Sequence, residues 1–149
     1  MYGIKYKVAV NHDFEKIIKG RLCPYCNCDT ELVIGDLIYY QIINEQPRPK
    51  YLDKYYYRCI ENKDHYVGTY SDNFTSLGRI ANSELRKLKS KGHQVFDPLW
   101  KQKIKFNSQK QAYEWLSEKM NLPQELTHFG MFTNDECIKA INICENNID

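Results

Sequence analysis

The side chains best suited to chemistry in this sequence are metal ligands in two groups. Cys23 and Cys26 are the first and last residues of a Cys-Pro-Tyr-Cys turn, and Cys59 and His65 follow much later in the chain. Thiolate and imidazole groups favour Zn²⁺ over hard cations, and cysteines at this spacing can bind one tetrahedral ion. We therefore predict one structural Zn²⁺ bound by Cys23, Cys26, Cys59 and His65. Four protein ligands leave no open position for a reacting water, so this ion is expected to stabilise the fold.

Strands must bring the two ligand groups together. Polar and apolar residues alternate over residues 2–10, which predicts a half-buried strand. Residues 31–43 are rich in Val, Ile, Leu and Tyr and predict a second strand, with a turn or bulge at Gly35-Asp36. A proline-containing loop over residues 44–54 then leads to a returning strand at residues 55–59. This hairpin is expected to carry Cys59 and His65 back to the Cys-Pro-Tyr-Cys turn.

Helices are predicted from about residue 80 onward, because the spacing of apolar residues lengthens from two to nearly four. Asn82 is a suitable N-cap for the first helix, which we expect to bend or end near Gly92. Asp97 and Pro98 suit the cap and the first position of a short helix that follows.

Capping boxes predict two more helices. Ser108 with Gln111 begins the first, and Thr133 with Glu136 begins the second. The last helix carries one apolar stripe, formed by Cys137, Ile141, Cys144 and Ile148. The two cysteines of this stripe are predicted to be packed thiols and not metal ligands.

The order of these elements predicts an α+β fold. We expect a zinc-ribbon-like β-hairpin module packed against a C-terminal helical subdomain of three to four helices. The predicted boundaries are residues 1–21 for an N-terminal strand extension, 22–76 for the hairpin module and 77–149 for the helical subdomain. A chain of 149 residues is long enough for these parts to form one compact unit.

Composition favours a cytoplasmic protein. No apolar run approaches the roughly 20 residues of a membrane span, so we expect no membrane partner. The first residues lack the hydrophobic core of a secretion signal. In a reducing compartment the six cysteines are expected to be ligands and buried thiols and not disulfides.

Charge is unevenly spread although the net charge is only +2. Lys and Arg dominate residues 78–119, whereas acidic residues dominate the chain after residue 120. Cations spread over two elements with few intervening acids indicate binding of phosphate or of an acidic partner; the alternative is a solvated helix face. The candidate nucleic-acid contacts are Arg48 and Lys50 at the loop tip, and Arg86, Lys87, Lys89 and Lys91 on the first long helix.

Tyrosines cluster in and just after the predicted hairpin. They are Tyr39, Tyr40, Tyr55, Tyr56, Tyr57, Tyr66 and Tyr70, interleaved with Lys54, Arg58 and Lys63. Aromatic rings beside cations can stack bases and hold phosphates, as in single-strand binders. Core packing is the preferred interpretation, because β-propensity alone explains the enrichment and adjacent strand residues point to opposite faces.

Candidates for catalysis are few. His93, Asp97 and His128 could position a divalent metal for phosphodiester hydrolysis. However, Asp97 is already explained as a helix cap, and His93 lies beside an apolar stripe. We therefore expect a protein that is not an enzyme.

Several motifs resemble a small family of zinc-finger-containing proteins. They are Leu-Gly-Arg-Ile-Ala-Asn (77–82) with Glu-Leu-Arg (84–86), His93, Phe-Asp-Pro-Leu-Trp (96–100), Tyr-Val-Gly (66–68), Ala112-Tyr113, Trp115-Leu116 and His-Phe-Gly-Met-Phe (128–132). The resemblance covers roughly residues 22–144. It implies a zinc-binding protein of the kind found mainly in phages and prophages, a family that lacks an assigned function.

The metal ligands depart from this family's pattern. Family members typically offer a second Cys pair and a His soon after the Val-Gly step. In this chain Lys63 or its neighbour stands in place of that second cysteine, and Tyr70 stands in place of the later histidine. Two candidates therefore remain for the fourth ligand: His65, which is close enough to substitute, and Cys28.

These observations predict a phage-type zinc-binding protein that binds nucleic acid through the basic helix and the hairpin loop. The alternative is a protein-interaction module, for example a phage-encoded inhibitor of a host protein or defence system. A metal-dependent nuclease is the third hypothesis. Zinc ribbons serve in both binding roles, so fold class alone leaves DNA, RNA and protein partners open, as well as the oligomeric state.

Overall fold

A computed structural model of the chain describes residues 12–146. The strand predicted over residues 2–10 and the apolar position Ile148 lie outside the described residues. The chain divides between Asn82 and Ser83 into two compact units. The predicted boundary at residue 76 and the predicted packing of one part on the other stay predictions.

The first unit is built on an antiparallel sheet with strand order β1-β2-β3-β4. The strands are β1 (Leu22–Cys23), β2 (Cys28–Ile34), β3 (Tyr55–Cys59) and β4 (Tyr66–Gly68). Helix α1 (His12–Ile18) precedes β1, and a short helix α2 (Gly35–Ile38) follows β2. Short 3₁₀ turns at Tyr40–Ile42 and Lys50–Leu52 complete the connection from α2 to β3.

The second strand was predicted over residues 31–43. In the structure β2 already ends at Ile34. The Gly35 N–H donates to Lys54 O over 2.7 Å, which pulls the chain against the residues that precede β3. A Cβ atom at Gly35 would lie 2.1 Å from the Tyr51 carbonyl oxygen, so only glycine fits this approach. The chain then turns into α2 and the 3₁₀ turn instead of continuing as a strand.

Strand β3 is buried on both faces. Tyr57 and Cys59 pack with Cys23, Val67 and Ile80 in one apolar cluster. Side chains alternate along a strand, so Tyr56 and Arg58 occupy the opposite face. There the Tyr56 ring meets Tyr66 edge-on, and the Arg58 guanidinium donates to Leu37 O. The strand therefore separates two different environments.

Three long helices make up the second unit: α3 (Ser83–Lys101), α4 (Gln109–Met120) and α5 (Asn134–Asn146). Phe96, Phe129 and Phe132 are fully buried, and their rings form its aromatic core. Cys137 and Cys144 are buried on one stripe of α5, as predicted. None of the described helices is both long and apolar enough to cross a membrane.

The predicted helix end near Gly92 and the separate helix at Asp97-Pro98 are wrong, whereas the alternative of a bend at Gly92 stays a prediction. Helix α3 runs through both sites without interruption. Gly92 lies on the buried side, where a Cβ atom would come within 2.1 Å of the Phe129 ring. Asp97 does not cap a helix; its carboxylate pairs with His93 and Lys101, one turn away on either side. The proline costs one backbone hydrogen bond, which tertiary packing offsets.

Both predicted helix starts are confirmed, and the capping box is complete at the second of them. Ser108 Oγ accepts from the Gln111 N–H at 3.2 Å. At α5 the exchange is reciprocal, because Glu136 N–H donates to Thr133 Oγ1 at 3.1 Å and Thr133 N–H donates to Glu136 Oε1 at 2.9 Å. With strands first and helices after them, the predicted α+β class is confirmed.

Candidate metal centre

The Cys-Pro-Tyr-Cys turn connects β1 to β2, the neighbouring strands that are closest along the chain. Strand β1 ends at Cys23 and β2 begins at Cys28, with these two residues paired. The Asn27 N–H donates to Cys23 O at 2.8 Å, and Asn27 adopts a positive φ of 55° that asparagine tolerates. The tight turn holds the Cys23 and Cys26 thiols on the same side, with Cys23 fully buried.

Cys59 and His65 are brought to this turn by the β3–β4 connection. Cys59 is the last residue of β3, and its N–H donates to His65 O at 2.9 Å. This bond closes the loop over residues 60–64 and fixes His65 beside the end of the strand. The Glu61 and Asn62 N–H groups both point at Cys59 Sγ, at 3.4 and 3.3 Å.

The four predicted ligands converge. One ligand atom from each of Cys23, Cys26, Cys59 and His65 lies within 4.8 Å of the others. We call these four residues the Cys/His group.

The donor distances of the Cys/His group fit Zn²⁺. His65 Nδ1 lies 3.5 Å from Cys23 Sγ and 3.6 Å from Cys26 Sγ. With Zn–S of about 2.3 Å and Zn–N of about 2.0 Å, a tetrahedral ion separates sulfur and nitrogen ligands by about 3.5 Å.

Cys28, the other candidate for the fourth ligand, lies next to the group but outside it. Its Sγ is 3.2 Å from Cys59 Sγ. This distance is shorter than the roughly 3.8 Å that separates two thiolates on a tetrahedral zinc ion. The ligand atoms that lie within 4.8 Å of one another thus include His65 and not Cys28, which places a half-buried thiol beside the group.

The thiols of the group differ in acidity. Burial raises the pKa of Cys23, and burial together with the Cys59 thiol raises the pKa of Cys26 to about 11. Burial raises the pKa of Cys28 to about 12. At Cys59 burial acts in the same direction, but the Asn62 and Glu61 N–H groups and the Cys28 thiol outweigh it and lower the pKa.

Those two backbone donors are a feature that sequence reasoning missed. Backbone N–H groups that donate to a sulfur stabilise its charged form, as a metal-bound thiolate requires. Their signal in the sequence is weak, since it consists only of a short loop after Cys59 in which residues 61–64 are polar.

The predicted loop contacts have different surroundings. Arg48 is held by Asp36 and Asp53, the latter at 3.0 Å, and it also donates to Ile43 O. These bonds give it a role in fixing the loop. Lys50 lies exposed at the start of a 3₁₀ turn.

The four predicted cations of α3 lie outside its buried face. Lys87 and Lys91 are exposed and one turn apart, whereas Arg86 and Lys89 are half-buried. Lys91 Nζ lies 3.7 Å from Glu145 Oε2, an exposed pair of small energetic value. Lys87 forms no ion pair among residues 12–146.

The residues considered for catalysis do not gather around one point. His93 Nδ1 is 3.2 Å from the Asp97 carboxylate, and its ring packs on Phe129. His128 instead packs against Tyr113, with ring centroids 5.3 Å apart. In the described part of the chain, the Cys/His group is the candidate metal cluster.

The tyrosines divide between the core and the surface. Tyr56 and Tyr57 are buried on opposite faces of β3, so the core-packing interpretation is confirmed for them. Tyr40 and Tyr70 are 67% and 56% exposed, respectively, and cover no core.

Comparison with known proteins gives one family. A family model described as a zinc-finger-containing domain matches residues 19–147. The match includes the whole Cys/His group and all three long helices, which confirms the resemblance seen in the sequence. No curated protein and no solved structure matches the chain.

Proposed function

This chain belongs to the family of zinc-finger-containing domains, and on that premise we propose that its Cys/His group binds one structural Zn²⁺. The proposal is supported by the donor set, by the sulfur–nitrogen distances of 3.5 and 3.6 Å, and by the N–H groups aimed at Cys59 Sγ. When bound, the ion would cross-link the β1–β2 turn to the end of β3. Elemental analysis of protein prepared without added metal tests this; an intact fold without zinc would contradict it.

The protein then uses its zinc-stabilised fold to bind nucleic acid through the cations of α3, with Lys50 as a further contact. The observation that carries this proposal is the exposed pair Lys87 and Lys91, one turn apart on a helix of 19 residues. Cations at this spacing lie on one helix face and can contact neighbouring phosphates. Arg48 contributes indirectly, because its bonds to Asp36 and Asp53 shape the loop that carries Lys50.

Salt dependence tests nucleic-acid binding. For about four phosphate contacts on duplex DNA, the slope of log affinity against log salt is expected to be on the order of −3 to −4. Replacing Lys87 and Lys91 together by Glu should weaken binding to all sequences and flatten the slope by about 2. Lys110→Glu with Lys119→Glu on α4 is the matched control, since it makes the same charge change at exposed sites.

A protein partner is the second candidate, and the turn between Thr69 and Ser76 favours it. Tyr70, Phe74 and Leu77 are 56%, 57% and 42% exposed. The turn is well ordered by hydrogen bonds, because the Asp72 carboxylate accepts from the Phe74 and Thr75 N–H groups. Exposed apolar residues on a fixed turn suit protein recognition. Two results together would establish this role. The protein would bind no nucleic acid at low salt, and wild type would capture a host protein that the Phe74→Ala variant does not capture.

Catalysis is not part of the proposed function. Four protein ligands would fill a zinc coordination sphere, which supports a structural ion. We expect no cleavage of nucleic acid with Mg²⁺ or Mn²⁺. Metal-dependent cleavage that His93→Ala or His128→Ala abolishes would establish the nuclease hypothesis instead.

A bacterial cytoplasm is the proposed setting, with a phage as the proposed source. Support for the compartment comes from the cysteines, all six of which are free thiols. Metal-binding thiols must stay reduced, and a reducing compartment keeps them so. The phage origin rests on the family resemblance alone.

A further inference from the structure

A cleft of about 610 Å³ opens on the face of β3 that carries Arg58, opposite the face of Cys59. Its volume is typical of small-molecule sites. It is lined by Leu37, Ile38, Tyr39, Tyr40, Arg58, Lys63, Asp64 and Tyr66. We call it the tyrosine cleft.

One wall of the tyrosine cleft is fixed by aromatic packing. Tyr39 meets Tyr56 and Tyr66 edge-on, with centroid distances of 5.9 and 6.2 Å. Tyr39 also contacts Tyr51 at 4.8 Å. Four rings locked against one another give the cleft a preformed shape, which lowers the entropic cost of binding.

Tyr40 differs from these rings. It begins the 3₁₀ turn Tyr40–Ile42 at the edge of the cleft, and 67% of its surface is exposed. A ring so exposed contributes little to folding, yet it offers a broad apolar face next to a preformed cavity. Such a face suits a flat aromatic ligand.

The charges of the cleft are nearly balanced. Arg58 donates to Glu31 at 2.8 Å and to Leu37 O at 3.1 Å, and its buried Nε has no partner among the described residues. Lys63 is exposed and Asp64 bears the opposite charge. The cleft can therefore attract about one anionic group of a ligand, and most of the binding energy must come from contact with the aromatic rings.

We propose that the tyrosine cleft binds one nucleotide of a single-stranded nucleic acid, with the base stacked on Tyr40 and a phosphate at Lys63. Every base has a face that stacks on an exposed aromatic ring, and unpaired strands present those faces. A free phosphate or a peptide carboxylate would use Lys63 but would not need the Tyr40 ring. This contact is separate from α3, so it extends the proposed function without depending on it.

Fluorescence anisotropy with a short labelled oligothymidylate tests the proposal. Tyr40→Ala should weaken binding about tenfold, because one stacked base is lost. Tyr40→Phe keeps the ring and should bind like wild type. Tyr70→Ala removes a tyrosine outside the cleft that is 56% exposed, and it should bind the oligothymidylate like wild type. Circular dichroism checks that each variant keeps its fold.

Variants of Lys63 and of the α3 cations distinguish binding at the tyrosine cleft from binding through α3. Lys63→Ala should reduce the salt slope for the oligothymidylate by about 0.7, the value for one phosphate contact on a single strand. The double change of Lys87 and Lys91 to Glu should leave the tenfold effect of Tyr40→Ala in place. The proposal is overturned if wild type does not bind the oligothymidylate at low salt, if Tyr40→Ala binds as well as wild type, or if Tyr40→Phe loses as much as Tyr40→Ala. Duplex binding through α3 would survive each of these results.

Discussion

At the residue scale, the ligands of the Cys/His group are not equally ready to bind a metal. Cys59 Sγ accepts two backbone N–H groups, and its pKa lies below the usual value for a thiol. The pKa of Cys26 is raised to about 11, and that of Cys23 is raised by burial. Cys59 is therefore the first thiolate available to an incoming ion, and the other two thiols must lose protons as the ion binds.

Zinc binding should consequently release protons near neutral pH. Thiols whose pKa is raised remain protonated at pH 7, so the ion competes with protons for Cys23 and Cys26. Affinity is expected to fall as pH is lowered and to rise as pH is raised. Calorimetric titrations in two buffers of different protonation enthalpy measure the number of protons released. An apparent binding enthalpy identical in both buffers would contradict the prediction.

The fourth ligand can be identified by substitution. His65→Ala should weaken zinc retention markedly, because His65 Nδ1 lies 3.5–3.6 Å from two of the thiols. Cys28→Ala should retain zinc, because Cys28 contacts Cys59 from outside the group. Competition with a chromophoric chelator measures both affinities. Loss of zinc in Cys28→Ala with retention in His65→Ala would reverse the assignment.

The sequence identifies the ligand types but not the choice between His65 and Cys28. Spacing brings Cys23 and Cys26 together through a local turn, so they are predictable from neighbouring residues. The position of His65 depends on the bond from Cys59 N–H to His65 O and on the pairing of β3 with β4. Those contacts form only when β3 and β4 pair, and no short motif encodes them.

At the scale of elements, close packing overrides local preference at two glycines. Gly35 ends β2 because the backbone at Tyr51 leaves no room for a side chain. Gly92 lies inside α3 because the Phe129 ring occupies the space of its Cβ atom. The sequence suggests a turn at the first site and a helix break at the second. Only the contact across the fold gives the reason for each glycine.

Gly92→Ala should destabilise the second unit. Alanine favours a helix by about 1 kcal/mol over glycine. Displacing a fully buried phenylalanine ring typically costs about 1–3 kcal/mol, and a contact of 2.1 Å places this site at the upper end. We expect a net loss of about 1–2 kcal/mol in the free energy of unfolding, measured by urea denaturation. Ser90→Ala, at an exposed position of α3, is the control and should not destabilise. A stabilised Gly92→Ala protein would show that the Phe129 ring moves freely.

Helix starts were the most predictable elements. The N-cap bonds at Ser108 and Thr133 need only residues three positions apart, and both form as expected. The continuity of α3 was not predictable, because Asp97 has two competing uses. As a helix cap, Asp97 would depend only on its sequence neighbours. Its pairing with His93 and Lys101 requires the helix to continue on both sides.

At the scale of the whole molecule, the metal ligands belong to one unit only. The Cys/His group spans residues 23–65, and the buried cluster beneath it includes Tyr57, Val67 and Ile80. The aromatic core of the second unit, around Phe96, Phe129 and Phe132, contains none of the four ligands. The ion is thus expected to affect the two units differently.

Chelation of zinc should loosen the first unit first. Amide hydrogen exchange is expected to accelerate in β2, β3 and β4, because the ion links the ends of these strands. Amides of α4 and α5 should keep their protection, since their core does not involve the ligands. Adding zinc back should restore the protection of the strands. Equal loss of protection in strands and helices would show that the two units unfold together.

The order of the ligands along the chain has a consequence for biosynthesis. A ribosome releases the Cys-Pro-Tyr-Cys turn first, then Cys59 and His65, and the helices of the second unit last. The complete donor set is therefore exposed to cellular zinc while α4 and α5 are still being made. Metal capture can accompany translation, and the first unit can close its sheet before the hydrophobic residues of the second unit emerge. With the proposed zinc bound by this group, we expect zinc availability to influence folding during synthesis.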